Sequence, residues 1–253
     1  MAKDVELKLD EQGSGEPVLV LHGGGGPVTI AGLAAHLVQS AHVLVPTHPG
    51  WNGTTRPEWL SGVDDLAMLY LRLLQERGLR NVTVVGSSMG GWIALEMAVR
   101  DLGGLIGRVV IVDGVGVEVP GEQMVDFFAL TPRGIAEHSY YEPDKFFADP
   151  STLPPERVAL IRGNIATLKL VAGTQMFDPK LLHRLGQVEI PALVLWGESD
   201  RIATPAYGRA LAAALPNGRF ELIERAGHLP QLERPEATFA AIGTFLDLRA
   251  AAE

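Results

Sequence analysis

A serine lies at the centre of the first pattern in this sequence that could do chemistry. Residues 86–90 read Gly-Ser-Ser-Met-Gly and match G-x-S-x-G, with Ser88 in the middle. The apolar run Val82 to Val85 precedes the pattern, and helical periodicity follows it from Gly90. Such a strand–turn–helix junction holds a serine in a strained turn with its hydroxyl exposed above a sheet. Glycine and serine are common, so the letters alone also fit an ordinary turn, but this setting predicts that Ser88 is a nucleophile.

A serine needs a base to become a good nucleophile, and His228 is the favoured candidate among seven histidines. It follows the predicted strand Phe220 to Ile223. In a parallel sheet the loop after that strand emerges at the carboxyl edge, as the loop that holds Ser88 does. A histidine here could instead cap the helix that follows. Its position relative to the serine favours the role of base.

The base in turn needs a carboxylate that orients it, and Asp200 is the favoured one. Asp200 lies just after the predicted strand Ala192 to Trp196 and gives the chain order Ser, Asp, His. Two alternatives stay open. Asp113 follows the predicted strand Val109 to Val112, and Glu198 comes two residues before Asp200.

Two backbone N–H groups are predicted to form an oxyanion hole. One belongs to Met89, the residue after the nucleophile, and the other to the glycine loop after the predicted strand Val18 to Leu21. In that loop Gly24 is the first choice and Gly25 the next, because a glycine lets its backbone face a substrate without a side chain in the way. The loop matches neither G-x-x-x-x-G-K-[ST] nor G-x-G-x-x-G, which argues against a nucleotide site. We therefore expect no cofactor, and no metal, since no cluster of histidines and carboxylates has ligand spacing.

The elements that must position these residues alternate along the chain. Short apolar runs typical of strands alternate with stretches of 3.6-residue periodicity, which predicts an α/β fold with a mostly parallel sheet and helices on both faces. Val5 to Leu9 alternates and is predicted to be an edge strand. Residues 117–188 break this alternation, with seven prolines and no apolar strand run. The predicted organisation is a core of residues 1–116 and 189–253 with a helical insertion of residues 117–188.

Motifs in this order and spacing resemble the α/β-hydrolase superfamily along nearly the whole chain. The matching pieces are His22-Gly23, Pro49-Gly50, Gly86-x-Ser88-x-Gly90-Gly91, Gly197-x-x-Asp200 and Gly227-His228. The resemblance implies an eight-stranded, mostly parallel sheet with a helical lid after strand six, where residues 117–188 fall. It also implies that His22 supports nearby backbone rather than catalysing. Thr47 departs from the acidic residue that is usual two positions before Pro-Gly. The aromatic residues of the insertion are most simply explained by the packing of the lid itself; pocket lining is the alternative, and Phe146 and Phe147 are the pair to which it applies.

Composition narrows the classes of partner. The chain has 253 residues, a formal net charge of −9 and no cysteine. An acidic balance without a basic run argues against nucleic acid and anionic membranes as partners, and the absence of thiols excludes disulfides and a cysteine nucleophile. The first residues lack an apolar signal segment and no apolar run reaches membrane-spanning length, so a cytoplasmic location is expected. The expected partner is a small-molecule substrate, and a homodimer is left open.

Three functions compete at this point. The first is hydrolysis of a small carboxylic ester or lactone through an acyl-enzyme on Ser88. The second is hydrolysis of a carbon–carbon bond in ring-opened aromatic, meta-cleavage-type products, a group that the Ser88 motif and the glycine loop resemble. That group commonly has an aromatic residue after the catalytic histidine, where this chain has Leu229. The third is a small-molecule receptor on the same fold that does not catalyse.

Overall fold

The computed structural model describes residues 5–247 and centres on a seven-stranded sheet. The strands of this sheet are β1 (Leu9–Gly13), β2 (Pro17–Leu21), β3 (His42–Pro46), β4 (Val82–Ser87), β5 (Ile106–Val112), β8 (Ala192–Gly197) and β9 (Gly218–Ile223). Their order in the sheet is β1-β3-β2-β4-β5-β8-β9. Every pairing is parallel except that of β1 with β3.

The central strands are hydrophobic on both faces because helices cover both faces of the sheet. All six residues of β4 and all six of β8 are buried. Side chains that alternate along each strand therefore supply two separate cores. The edge strand β1 is exposed over four of its five residues, as expected of a strand with a solvent-facing side.

Helices α1 and α10 pack on one face of the sheet, and α2, α3 and α8 on the other. Their bounds are α1 (Ala31–Leu37), α2 (Val63–Glu76), α3 (Met89–Arg100), α8 (Pro205–Ala213) and α10 (Pro235–Phe245), with the short α9 (Pro230–Glu233) before the last. Helix α2 illustrates the pattern: Leu66, Tyr70 and Leu74 are buried on one side while Met68 is exposed on the other.

Between β5 and β8 the chain leaves the main sheet. This stretch contains α4 (Pro132–Ser139), α5 (Pro143–Phe146), the 18-residue α6 (Pro155–Ala172) and α7 (Leu181–Arg184). It also contains β6 (Gly116–Val117) and β7 (Phe177–Asp178), which pair in parallel as a separate two-stranded sheet. Proline stands in the first turn of α4, α5 and α6, where a missing N–H costs nothing, so the prolines that break the strand pattern begin helices.

The mostly parallel sheet with helices on both faces confirms the predicted fold class. The strand count within residues 5–247 is seven in the main sheet rather than eight, so the insertion follows the fifth strand of that sheet. The predicted edge strand Val5 to Leu9 is wrong, since the strand begins at Leu9. The sequence alternates there because Val5 and Leu7 pack against the core, not because they pair with a neighbouring strand. No helix in residues 5–247 has the length and apolar character needed to cross a bilayer.

Candidate active site

Ser88 lies at the sharp turn between β4 and α3, with φ 56° and ψ −120°. A non-glycine residue with positive φ is strained and persists only where its surroundings fix it. Here the Ser88 N–H donates to the Val112 carbonyl at 2.9 Å. Gly90 lets the helix approach β2, because a Cβ at Gly90 would lie 2.1 Å from the Leu21 carbonyl oxygen. The turn holds the Ser88 side chain partly exposed at the carboxyl edge of the sheet.

His228 comes to this edge from the loop after β9, and three contacts fix its position. Its backbone N–H donates to the Ser139 carbonyl at 2.7 Å. Its Nδ1 lies 2.8 Å from Asp200 Oδ2, and its Nε2 lies 2.9 Å from Ser88 Oγ. Because a carboxylate accepts hydrogen bonds, Nδ1 carries the proton, and Nε2 is left to accept from the serine hydroxyl. The structure thus brings together the three side chains that the sequence predicts for a triad, with His228 between Ser88 and Asp200.

Asp200 is buried and its carboxylate is well supplied with donors. Beyond His228, its Oδ1 accepts from the N–H groups of Ile202 at 2.8 Å and Ala203 at 3.2 Å. The alternative Glu198 is exposed and accepts from the Arg225 N–H at 3.0 Å, away from the histidine.

The other alternative, Asp113, lies beside Asp200 rather than in its place. Its Oδ1 accepts from the Gly197 N–H at 2.8 Å. Asp113, Asp200 and His228 each bring one ligand-type atom within 4.8 Å of the others, and within residues 5–247 they form the one such group that could hold a metal ion. Burial, and next the Asp200 carboxylate, raise the pKa of Asp113 well above its usual value. Both ring nitrogens of His228 are engaged, by Asp200 Oδ2 and by Ser88 Oγ, so these residues fit the triad geometry.

The glycine loop after β2 lies beside Ser88, with its backbone held from behind. The Trp51 indole Nε1–H donates to the Gly24 carbonyl at 3.0 Å, which fixes the peptide unit that carries the Gly25 N–H. The N–H groups of Met89, Gly24 and Gly25 donate to no other atom in the part of the chain that the structure describes. These N–H groups include the two that the sequence predicts for an oxyanion hole, Met89 and Gly24.

Two buried histidines brace the glycine loop. His22 Nδ1–H donates to the Gly23 carbonyl at 2.7 Å, and His22 Nε2 accepts from the His48 N–H at 3.1 Å. His48 Nε2–H donates to the His22 carbonyl at 2.9 Å, and its Nδ1 accepts from the Tyr70 hydroxyl at 2.5 Å. This arrangement needs both rings neutral. Burial lowers the pKa of His22 to about 4, and burial, with His22 next, lowers that of His48 well below its usual value.

Helix α6 of the insertion packs directly on the glycine loop. A Cβ at Gly24 would lie 2.6 Å from Leu168 Cδ2. Nearby, Asn164 accepts from the Asn52 N–H at 2.8 Å and donates to Asn52 Oδ1 at 3.0 Å. Thr167 Oγ1 donates to the Gly50 carbonyl at 3.0 Å.

The aromatic pair that the sequence singled out has other partners. Phe146 stacks on Tyr140 with ring centroids 4.9 Å apart, and the Arg133 guanidinium lies 5.3 Å from the Phe147 ring centre. Both phenylalanines therefore pack within the insertion itself.

Sequence reasoning missed two residues that support the site, Trp51 and Glu233. The buried Glu233 carboxylate accepts from the N–H groups of Gly227 at 2.5 Å, Tyr141 at 2.9 Å and Glu142 at 3.1 Å. It therefore ties the loop of His228 to the junction of α4 and α5. The available signal was position alone, since Glu233 closely follows His228 and Trp51 follows Pro49-Gly50.

A sequence model described as the alpha/beta hydrolase family matches residues 18–242, most of the chain. The chain belongs to the alpha/beta hydrolase family. Similar curated members of this family include 2-hydroxy-6-oxononadienedioate/2-hydroxy-6-oxononatrienedioate hydrolases. The one from Paraburkholderia phymatum is 26% identical, with 92% of this chain and 88% of the relative covered. One from Dechloromonas aromatica is 28% identical at the same coverage. Lipase 1 of Psychrobacter immobilis is 25% identical, with 89% of this chain and 75% of the relative covered.

Solved structures of an esterase and of another hydrolase have the same fold. An esterase from Thermogutta terrifontis superposes with a TM-score of 0.75 at 24% identity, covering 95% of this chain and 93% of the esterase. A meta-cleavage product hydrolase from Pseudomonas fluorescens gives a TM-score of 0.76 at 16% identity, with 95% and 94% covered. The family match and its hydrolase relatives make this protein an enzyme, a hydrolase.

Proposed function

We propose that this alpha/beta hydrolase acts through an acyl-enzyme on Ser88, with His228 as base and Asp200 as the acid that orients it. One observation carries the proposal: a continuous line of hydrogen bonds, 2.9 Å from Ser88 Oγ to His228 Nε2 and 2.8 Å from His228 Nδ1 to Asp200 Oδ2. A nucleophile, a base within hydrogen-bond reach and a third group that orients the base are the parts that covalent catalysis requires. A receptor that does not catalyse has no need of this alignment.

The proposed reaction moves one proton through His228. Nε2 takes the hydroxyl proton as Ser88 Oγ bonds to the substrate carbonyl carbon. The carbonyl oxygen becomes negative and accepts from the Met89 and Gly24 N–H groups, where a single such donor is worth about 10²–10³ in rate. The imidazolium, stabilised by Asp200, then gives its proton to the leaving group. A water molecule repeats the sequence on the acyl-enzyme and releases the acid.

For the bond that is cleaved, we propose a carbon–carbon bond in a ring-opened aromatic product bearing a 6-oxo group. The support is the run of relatives named 2-hydroxy-6-oxo-dienoate-type hydrolases, which match over about nine-tenths of both chains. Carbon is a poor leaving group, so the proton that His228 holds must reach the departing carbon, whose electron pair has to be delocalised into the adjacent unsaturated acid.

Ester hydrolysis is the second candidate, and two observations favour it. Lipase 1 of Psychrobacter immobilis is similar to this chain over most of its length. In addition, Leu229 stands directly after His228, so an aliphatic rather than an aromatic side chain neighbours the base. An ester's alkoxide leaving group needs only the proton from His228.

We also propose that residues 117–188 form a lid that shapes the acyl pocket. The support is the contact of Leu168 with the glycine loop, together with the hydrogen bonds from α6 to residues 50–52. Leu168→Ala should change the preference among acyl chain lengths while Ser88 stays reactive. Leu170→Ala removes an exposed side chain of the same helix and should change neither.

Labelling with a fluorophosphonate tests the nucleophile. Wild-type protein should carry the adduct on Ser88, and Ser88→Ala should carry none. Ser87→Ala is the matched control, because Ser87 Oγ is buried and accepts from Gln231 Nε2 at 3.0 Å, and it should label. An adduct on Ser87, or none on folded wild-type protein, would contradict the proposal.

A substrate panel then separates the two bond types. The panel holds a 2-hydroxy-6-oxo-dienoate, p-nitrophenyl esters of two to eight carbons and an N-acyl lactone, each run with wild type and with Ser88→Ala. We expect kcat/KM for the dienoate to exceed that for the best ester by at least about tenfold. The opposite order would move the assignment to ester or lactone hydrolysis and leave the role of Ser88 unchanged.

A further inference from the structure

A second carboxyl group, that of Asp113, faces the acid of the triad. Asp113 directly follows β5 and has a φ of 45°, a left-handed conformation that Asp and Asn tolerate better than most residues. The side chain is completely buried, and its Oδ1 accepts from the Gly197 N–H at 2.8 Å. Its Oδ2 is buried and has no hydrogen-bond partner among residues 5–247 as placed. A buried oxygen without a partner is costly, so this atom calls for an explanation.

The carboxyl group of Asp200 accepts more hydrogen bonds than that of Asp113. Asp200 accepts from His228 Nδ1–H and from the N–H groups of Ile202 and Ala203, whereas Asp113 accepts from one N–H. Their facing atoms lie within 4.8 Å of each other. Two carboxylates this close in a dry interior cannot both be ionised, and the one with more donors keeps the charge.

We propose that Asp113 is a positioning residue, a protonated carboxylic acid whose Oδ2–H is directed at the carboxylate of Asp200 and holds it in line with His228. This role rests on the proposed function, since it presupposes that Asp200 orients the base. The hydrogen bond lets the buried Oδ2 act as donor and gives Asp200 a further partner. The two carboxyl groups then carry one negative charge between them.

The groups packed around Asp113 agree with its neutral form. Burial contributes most to the raised pKa of Asp113, and repulsion from Asp200 comes next. Glu233, on α9, adds a smaller repulsion and already accepts from three backbone N–H groups. His228 is the remaining titratable neighbour, and its Nδ1–H is engaged by Asp200.

The protonated Asp113 would change the basicity of His228. A hydrogen bond donated to Asp200 withdraws some of the negative charge that His228 feels, which favours the neutral imidazole that takes the proton from Ser88. If Asp113 were ionised, it would instead add negative charge and favour imidazolium. The two states therefore predict opposite responses to substitution.

Two variants and two measurements test the proposal. Asp113→Asn keeps a donor at Oδ2 and an acceptor at Oδ1, so it mimics the protonated acid. Asp113→Leu fills the space without a donor. The rate of fluorophosphonate labelling of Ser88 is followed against pH, and the infrared C=O band of a protonated carboxyl is recorded at pH 7 for wild type minus Asp113→Asn.

We expect the infrared difference to contain a protonated-carboxyl band and the acidic limb of the labelling profile to be the same in Asp113→Asn and wild type. In Asp113→Leu the limb should move to higher pH by about one unit, with slower labelling near neutral pH. A missing band, a limb that moves to lower pH in Asp113→Asn, or an unchanged limb in Asp113→Leu would each overturn the proposal. If wild-type Ser88 does not label at all, the proposed function fails, and the infrared band still decides the protonation of Asp113.

Discussion

His228 is engaged through both ring nitrogens and through its backbone N–H, so a small set of partners decides its tautomer. Asp200 supplies the acceptor for Nδ1–H, and no other carboxylate in residues 5–247 lies within hydrogen-bond distance of that nitrogen. An amide at position 200 could offer its N–H₂ group there and favour the wrong tautomer. The consequence should be kinetic rather than structural.

We predict that Asp200→Asn lowers kcat by as much as ~10⁴-fold, the effect of the same change in a serine protease triad, with the fold intact. Glu198→Gln is the matched control and should keep wild-type kcat, because Glu198 is exposed and accepts from Arg225 N–H. Turnover is measured per folded molecule, with folding checked by circular dichroism. Loss of activity in Glu198→Gln with Asp200→Asn active would move the acid to Glu198.

Three residues of this site could be predicted from sequence because each follows a strand whose apolar run is easy to see. Asp113 and Asp200 could not be ranked securely in that way, since β5 and β8 are neighbours in the sheet and both carboxyl groups emerge together. Position along the chain was the one available signal for Trp51 and Glu233, and it does not reveal their hydrogen-bond partners. Their partners lie 27 residues away for Trp51, and 92 and 91 residues away for Glu233 on Tyr141 and Glu142.

The loop after β3 holds the glycine loop in position. The Trp51 indole fixes the Gly24 carbonyl, and His48 from the same segment fixes His22. The donors of an oxyanion hole stabilise the transition state because they are oriented before the negative charge develops. Greater mobility of the glycine loop should therefore weaken stabilisation of the transition state more than binding of the substrate.

Trp51→Phe should therefore lower kcat by about tenfold with KM nearly unchanged, less than the loss expected when a donor itself is removed. Trp92→Phe is the control: its indole N–H donates to Glu96 at 3.0 Å, on α3, so its loss removes a buried indole hydrogen bond without touching the loop. Steady-state kinetics on the best substrate give both constants. A rise in KM with constant kcat would place Trp51 in substrate binding instead.

Glu233 connects the insertion to the core. Its carboxylate accepts from three backbone N–H groups, two of them at the α4–α5 junction. Glu233→Gln replaces one accepting oxygen with a donor that faces an N–H, which should reduce the free energy of unfolding by about 1–3 kcal/mol. Glu236→Gln, an exposed change in the first turn of α10, should leave it unchanged.

Urea denaturation of wild type and of these two variants measures the change in the free energy of unfolding. The rate of fluorophosphonate labelling of Ser88 reports whether the loop of His228 still holds the base in place. We expect Glu233→Gln to label more slowly than wild type, because Gly227 loses its partner next to the base. Equal stability of both variants would mean that the carboxylate does not hold the insertion to the core. The insertion's internal structure could not be predicted from sequence, because three of its four α-helices have eight residues or fewer, and α4, α5 and α6 begin at prolines that resemble loop signals.

Buried titratable groups make the free energy of unfolding of this protein depend on pH. His22 and His48 stay neutral in the fold, and burial is the main cause of their lowered pKa values, about 4 for His22. Unfolded histidine binds a proton below about pH 6.5. Between about pH 6.5 and 4 the unfolded chain therefore holds more protons at these sites, and each costs the fold about 1.4 kcal/mol per pH unit as the pH falls.

Asp113 acts with the opposite sign over the same range. Its raised pKa keeps the proton on the folded chain, while the unfolded chain releases it above about pH 3.9. Stability from Asp113 is therefore present below that pH and is lost as the pH rises toward the folded pKa. This trend opposes that of the two histidines.

Asp113→Asn removes the opposing contribution. Between about pH 4.5 and 6.5 the free energy of unfolding of this variant should therefore rise with pH more steeply than that of wild type, by up to about 1.4 kcal/mol per unit. Urea midpoints across that range measure the slopes, and Asp126→Asn, at an exposed position, should reproduce the wild-type slope. Equal slopes in Asp113→Asn and wild type would show that folding does not change the protonation of Asp113.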